Sequence, residues 1–182
     1  LFSKEGIKNS YNEAVERWSL REWWGGQLNC HTVACQGDYH CFEIATPFED
    51  TKMLILEKCI DVGELRYAYG FACSDTLKSA TKSAEKELLR NINIIKHSDL
   101  LTKNNSIELS LQERSLLYFS KKEGNDLFRL KATSQSKDTW NDLPRILFKG
   151  EIAHDLSESI LCYRTLFQNN IKLKGREDEF YF

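Results

Sequence analysis

Turn-forming residues are scarce in this chain, with two prolines and nine glycines among 182 residues. Boundaries between elements must therefore be read from hydrophobic pattern rather than from punctuation. A surplus of one charge sign is also missing. The 25 Lys and Arg stand against 27 Asp and Glu, a formal net charge of −2, so no overall basic field argues for nucleic acid. No apolar run is long enough to span a bilayer and no stretch has the pattern of a signal peptide, which leads us to expect a soluble, cytoplasmic protein. Six cysteines at irregular spacing then read as reduced thiols and not as a disulfide framework. The patterns G-x₄-G-K-[ST], H-E-x-x-H and G-x-S-x-G do not occur, so the familiar phosphate loop, zinc-protease helix and nucleophile elbow are set aside. The chain opens at Leu1 and runs almost directly into a helical stretch, and we expect it to be a fragment or a processed chain.

A chain of this length forms one large domain or two small ones and can bury a substantial core. The pattern predicts a first helix through Ser10 to Trp24, ended by Gly25-Gly26. Strand candidates follow at 32–36, 39–46, 53–57 and 65–71, and the short links between them favour an antiparallel meander. A long helix is expected over 75–96, with Ser74 or Asp75 as its N-cap. The polar stretch 98–106, with Asn104-Asn105, is the best internal boundary and divides the chain into parts 1–97 and 98–182 of the same domain. Beyond it the reading is a short helix at 111–119, a strand at 127–132, a loop through Pro144, a helix at 155–167 and a polar tail. The fold class is α+β, a mainly antiparallel sheet with two long helices packed on it. No internal repeat is evident.

On the first helix, 100° per residue places Ser10, Glu13, Glu16 and Arg17 on one face and Tyr11, Ala14, Val15 and Trp18 on the other. Two carboxylates one turn apart beside a guanidinium suit a hard divalent cation and the phosphate oxygens it bridges. The same residues also make an ordinary solvated face with one Glu–Arg pair, worth a few tenths of a kcal/mol. On the long helix, Ala80, Ser83, Ala84, Glu87 and Asn91 share a stripe of mostly small residues. A glutamate there needs a partner, because burying an unpaired carboxylate is costly. Arg90 can be that partner, or Glu87 can join Glu13 and Glu16 around bound Mg²⁺. The two helices are expected to pack side by side and to bring the three carboxyl groups within roughly 10 Å.

Other groupings are weaker. Cys30, His31, Cys35, His40 and Cys41 crowd together, but their spacing fits no common zinc knuckle, and strand alternation would scatter them over two faces. Buried strand cysteines are the alternative. His97 and His154 fall at expected helix ends, where they complement the dipole. The row Lys78, Lys82 and Lys86 reads as a solvated face or, alternatively, as a surface for a peptide or partner.

The block Ser10-x-x-Glu13-x-x-Glu16-Arg17, followed by Trp23-Trp24, resembles the S-x-x-E-x-x-E-R helix of YcaO-domain proteins. The stretch from Tyr69-Gly-Phe-Ala-Cys-Ser through Ala80 and Ser83-Ala84 to Glu87 resembles the next signature of that family, where a Gly-containing strand end leads into a glutamate-bearing helix. The intervening Gly37 to Pro47 looks like the linking strand of azole-forming synthetase subunits. The resemblance covers roughly residues 4 to 95 and implies the C-terminal half of such a domain. It implies ATP held by Mg²⁺ on Glu13, Glu16 and Glu87, with Ser10, Arg17 and Arg90 as further nucleotide contacts. Arg90 stands where the family usually has Gln. The implied activity is ATP-dependent modification of peptide backbone amides: cyclodehydration of Cys, Ser or Thr to azolines, or thioamide formation with sulfide. The implied partners are a ribosomally made precursor peptide, a leader-binding protein and a second copy of the chain. The alternative is a non-catalytic relative that docks a precursor peptide or partner subunit. The final Phe180-Tyr181-Phe182 is expected to dock on the domain behind the acidic Glu177-Asp178-Glu179.

Overall fold

Four consecutive apolar residues, Met53 to Leu56, cannot all point one way on a strand, so a strand built from them needs cover on both faces. The computed structural model describes residues 2–34, 36–97, 110–135, 143–152 and 162–168, and it supplies that cover. β1 (Cys30–Val33), β2 (His40–Ile44), β3 (Lys52–Asp61) and β4 (Leu65–Ser74) form an antiparallel sheet in the order β1-β2-β3-β4. This is the meander that the short links favour, and the molecule is α+β. β3 and β4 are the longest strands, paired from Lys52 opposite Ser74 to Asp61 opposite Leu65.

Met53, Ile55, Tyr69 and Phe71 belong to one core, closed by Val15, Trp18 and Trp23 of α1 (Phe2–Trp24). Leu54, Leu56, Ala68 and Ala72 belong to the other core, closed by α2 (Leu77–His97). The two long helices therefore lie on opposite faces of the sheet, not side by side as expected from their patterns. The reason is the double-sided hydrophobicity of β3 and β4, because one helix covers only one face of a sheet. α2 sits very close, since Ala80 and Ala84 are fully buried beneath it. Gly70 completes this approach: a Cβ there would lie 2.2 Å from the Ala84 carbonyl oxygen and 2.4 Å from the Leu88 nitrogen.

The C-terminal part contributes Phe119, Phe128 and Phe167 to the core on the α1 side and Leu116 to the core on the α2 side. α3 (Leu111–Ser120) starts with a capping box in which Ser110 and Glu113 exchange side chain–backbone bonds. α4 (Lys122–Thr133) occupies the segment read from sequence as a strand at 127–132. Leu127-Phe128 looks strand-like in isolation, but the buried positions Asn125, Phe128 and Ala132 recur at helical spacing. Asn125 also donates to Glu57 at 2.6 Å and to the Tyr69 hydroxyl at 2.8 Å, and Arg129 pairs with Glu57 at 2.8 Å, so buried polar bonds hold α4 to the sheet. Trp23 meets Trp24 and Phe128 edge to face, and Trp24 meets Phe119 likewise. The tryptophan pair is thus a packing device that locks the end of α1 to α3 and α4.

A second correction concerns the helix expected at 155–167. Residues 162–167 form β6 (Cys162–Phe167), antiparallel to β5 (Ile146–Ile152), a strand that the sequence reading left inside the Pro144 loop. Thr165 and Phe167 alternate inward there, and Phe167 packs on Tyr11 of α1 with ring centroids 5.8 Å apart. Period-two burial against α1 overrides the helix-like run of apolar residues. The boundary at 98–106, residues 153–161 and the tail from 169 lie outside the described residues. Among the described residues, no helix is long and apolar enough to cross a membrane.

Gly70→Ala is expected to lower stability by about 3 kcal/mol, because the clash is with backbone and not with a movable side-chain end. Chemical denaturation of the two proteins checks this, and an unchanged midpoint would contradict the close packing of α2 on β4.

Candidate functional site

β4 is the last strand of its sheet, so alternate residues turn N–H and C=O groups away from β3 with no strand to receive them. Side chains from both long helices fill that role. Glu87 of α2 accepts a hydrogen bond from the Phe71 N–H at 3.0 Å. Glu16 of α1 accepts one from the Cys73 N–H at 3.2 Å. Asn91 of α2 donates to the Tyr69 carbonyl at 2.8 Å. Phe71 and Cys73 are two residues apart on an extended strand, so the two carboxylates anchor about 7 Å from each other. Helices on opposite faces thereby bring their glutamates together around the sheet edge.

Each carboxylate gives one oxygen to the backbone and keeps the other. The second oxygen of Glu87 accepts from Arg90 Nη2 at 2.9 Å. The second oxygen of Glu16 has no hydrogen-bond partner among the described residues. Glu13 is exposed, one turn before Glu16, and takes both Nε and Nη2 of Arg17, at 3.1 and 2.8 Å. For Glu13 the solvated Glu–Arg pair foreseen from the spacing is therefore present, beside a better-buried neighbour.

Two hollows flank this row of acids. One, of about 930 Å³, runs between α1 and α2 over the β4 edge, and its walls include Lys4, Lys8, Lys86, Ser79 and Ser83. The other, of about 780 Å³, extends toward α3 and is walled by Asn91, Ile94, Gln112, Glu113 and Leu116. Glu13, Glu16, Phe71, Glu87 and Arg90 line both. Of the six residues singled out on the sequence, five meet here: Glu13, Glu16, Arg17, Glu87 and Arg90. Ser10 turns elsewhere: its hydroxyl donates to the Ile7 carbonyl and lies 3.1 Å from the Thr165 hydroxyl, at a smaller hollow between α1 and β6 that also reaches Glu13 and Arg17. The lysines of the larger hollow were not foreseen, and Lys86 was read as part of a solvated row. The signal for Lys4 and Lys8 lay in their four-residue spacing, which continues through Asn12 to Glu16 on one helical face. Lys8 is ion-paired to Asp75 at the approach to α2.

Burial pushes the Glu16 carboxyl from the ordinary 4.5 up to about 8, with the nearby Glu87 and Glu13 carboxylates adding to the shift and the Cys73 amide and Arg17 opposing it. Glu87 is also raised by burial, against the Phe71 amide and Arg90. Hard oxygen donors held at low dielectric and repelling one another are the chemistry that a divalent cation relieves. No three His, Cys, Asp or Glu side chains among the described residues close on a single ion. The spacing of Glu16 and Glu87 instead suits ions that share further oxygens with a bound anion.

The cysteine–histidine group does not converge. Cys41 is buried and Cys30 is half-buried, whereas His31 and His40 are exposed on their strands. Burial pushes the Cys30 thiol up to about 12, against the His31 backbone hydrogen bond. Cys35 and His154 lie outside the described residues, and His97 sits in the last turn of α2. Compared with protein-family models, with curated proteins and with solved structures, the chain matches none.

The raised carboxyls set a pH dependence. A folded-state value of about 8 for Glu16 against an ordinary 4.5 means that the folded protein holds the extra proton between these limits. Stability should therefore fall as pH rises through that window. Thermal melts in chelator from pH 5 to 9 should show the midpoint declining, and Glu16→Gln, which keeps an acceptor for Cys73, should flatten the decline. An identical slope in the variant would contradict the assignment.

Proposed function

We propose that the β4-edge cleft binds ATP with Mg²⁺ and serves YcaO-type modification of peptide backbone amides, the cyclodehydration of Cys, Ser or Thr to azolines in ribosomally made peptides. One observation carries the reading. The acidic residues of the two motifs that resemble that family, Glu13, Glu16 and Glu87, come from separate helices on opposite faces, yet they line one cleft with Arg17 and Arg90. The Phe71 and Cys73 amides bring Glu87 and Glu16, 71 residues apart in sequence, to one strand edge, and a shared cationic ligand would use the cleft that they line with Glu13.

In this reading Glu16 and Glu87 hold Mg²⁺ through the oxygens not committed to β4, with Glu13 available once Arg17 turns to a phosphate. The bound Mg²⁺–ATP supplies the phosphoryl group that turns an amide oxygen into a good leaving group. Arg90 releases Glu87 in favour of the phosphates, and Lys4, Lys8 and Lys86 add positive charge along the larger hollow. The backbone amides of Phe71 and Cys73 fix both carboxylates before the ligand arrives, so little reorganisation is left to be done during reaction. Ser10 has no part in the cleft as it stands. The substrate is a ribosomally made precursor peptide, presented by a leader-binding partner protein or by a second copy of the chain, in the cytoplasm where ATP is available.

A second reading, a non-catalytic subunit that docks a precursor peptide, is favoured by a specific feature. Arg17 on Glu13 and Arg90 on Glu87 neutralise two of the three acids without any cation. Titration calorimetry separates the two readings. Mg²⁺–ATP should bind with release of roughly one proton at pH 7, because Glu16 must ionise to take the cation. Repeating the titration in buffers of different ionisation enthalpy reads that proton, and Glu16→Gln should abolish it. With a bound precursor peptide carrying ¹⁸O in its amides, label should appear in released phosphate. Binding of peptide with neither nucleotide binding nor label transfer would establish the docking reading.

A further inference from the structure

β4 and β5 are edge strands of opposite kinds. Glu16 and Glu87 occupy outward amides of β4, whereas β5 has β6 on one side and, among the described residues, no strand on the other. Every residue of β5 except Gly150 is exposed. Of the eleven exposed large hydrophobic residues among the described ones, six fall on this hairpin or just before it: Leu143, Ile146, Leu147, Phe148, Ile152 and Leu166. β6 is tied to α1 through Thr165 and Phe167, but a sheet of only two strands is marginal by itself. A bare apolar edge of this kind is a template for a further strand.

The sequence of β5 specifies which strand fits. Its pairing with β6 is irregular between Ile146 and Phe148 and regular from Phe148 to Ile152. Lys149 stands opposite the buried Thr165 and lies over the Tyr11 ring of α1 at 5.1 Å. Lys149 and Glu151 therefore share the α1 face, and Phe148, Gly150 and Ile152 share the other. We infer that β5 pairs antiparallel with β5 of a second copy of this chain, about a two-fold axis at Gly150, joining two hairpins into one four-stranded sheet. That axis is the midpoint of the regular stretch. It sets Lys149 of each copy opposite Glu151 of the other, and Phe148 opposite Ile152, so the strand is its own complement in charge and in apolar contact. Moving the axis to Lys149 or to Glu151 sets like charges face to face. An axis on a residue also matches outward amides to outward carbonyls, whichever alternate set β5 turns outward. The Phe148 ring already leans over Gly150, 3.5 Å from where a Cβ would stand, and in the pair both rings close over the axis. The pairing is independent of what the β4-edge cleft binds.

Sedimentation equilibrium of the full chain reads the pairing. One strand edge is a small interface, so half of the wild type should be dimeric at roughly 10–100 µM. Lys149→Glu and Glu151→Lys each replace two attractive pairs with two repulsive ones and should weaken the dimer about tenfold. Glu151→Lys leaves the Lys149–Tyr11 contact in place, so its effect is not one of a loosened hairpin. The double variant Lys149→Glu/Glu151→Lys again sets opposite charges together and should return to within about threefold of the wild type. An equimolar mixture of the two single variants should form heterodimers for the same reason. A wild type that stays monomeric up to about 1 mM would overturn the pairing. So would a dimer that neither single variant weakens, or one that the double variant and the mixture fail to restore, because the copies would then meet elsewhere.

Discussion

An antiparallel sheet that does not close on itself leaves the outward amides and carbonyls of its last strand to be satisfied by something other than a strand. In this molecule that duty falls on three side chains from two helices: Glu16 for Cys73, Glu87 for Phe71 and Asn91 for Tyr69. The rest of the arrangement follows from it. The glutamates must reach the same edge, so α1 and α2 can straddle the sheet and still place their acids together. Burial at that edge is also why the Glu16 and Glu87 carboxyls resist ionisation, against the pull of the amides that anchor them. The acidic row of the cleft and the strand edge are here the same piece of chemistry.

Tyr69 shows how firmly that edge is located. Its carbonyl is held by Asn91 from one face, and its hydroxyl by Asn125 from the other. Asn125 and Arg129 in turn bind the buried Glu57 of β3. Removing one member of such a network leaves a buried polar group unsatisfied, which costs more than the bond itself contributes. The apolar layers stabilise the sheet, whereas these few polar bonds fix where along β4 the helices stand. That positioning sets where acids on separate elements stand along one cleft.

Much of the N-terminal architecture was legible because its signals are local. Alternation and short links gave the meander, and the small-residue stripe through Ala80 and Ala84 marked Glu87 as a carboxylate in need of a partner. Coincident helical faces picked out Glu13, Glu16, Arg17 and Glu87, and Arg90 entered as the partner that a buried Glu87 would need. What failed was non-local. Residues 127–132 look like a strand until Asn125 and Phe128 are seen to bond and pack across to β3 and β4, and residues 162–167 look helical until α1 supplies a surface for Thr165 and Phe167. The side-by-side helices failed for a related reason. The sequence marks which helix faces are apolar but not which face of a doubly apolar sheet each will choose. Ser10 belonged to the right helical face by angle, but it sits two turns from Glu16, level with β6.

Carboxylates along an unpaired edge also have a protective effect. Exposed edge strands are templates for joining with other chains, and inward-reaching charge is one of the devices that prevents it. Glu16 and Glu87 occupy the very amides that an incoming strand from another molecule would need. A β4 edge stripped of these side chains would offer Phe71 and Cys73 to any extended segment nearby. The acids that line the cleft thus also keep the sheet from growing, through the same two hydrogen bonds that anchor them.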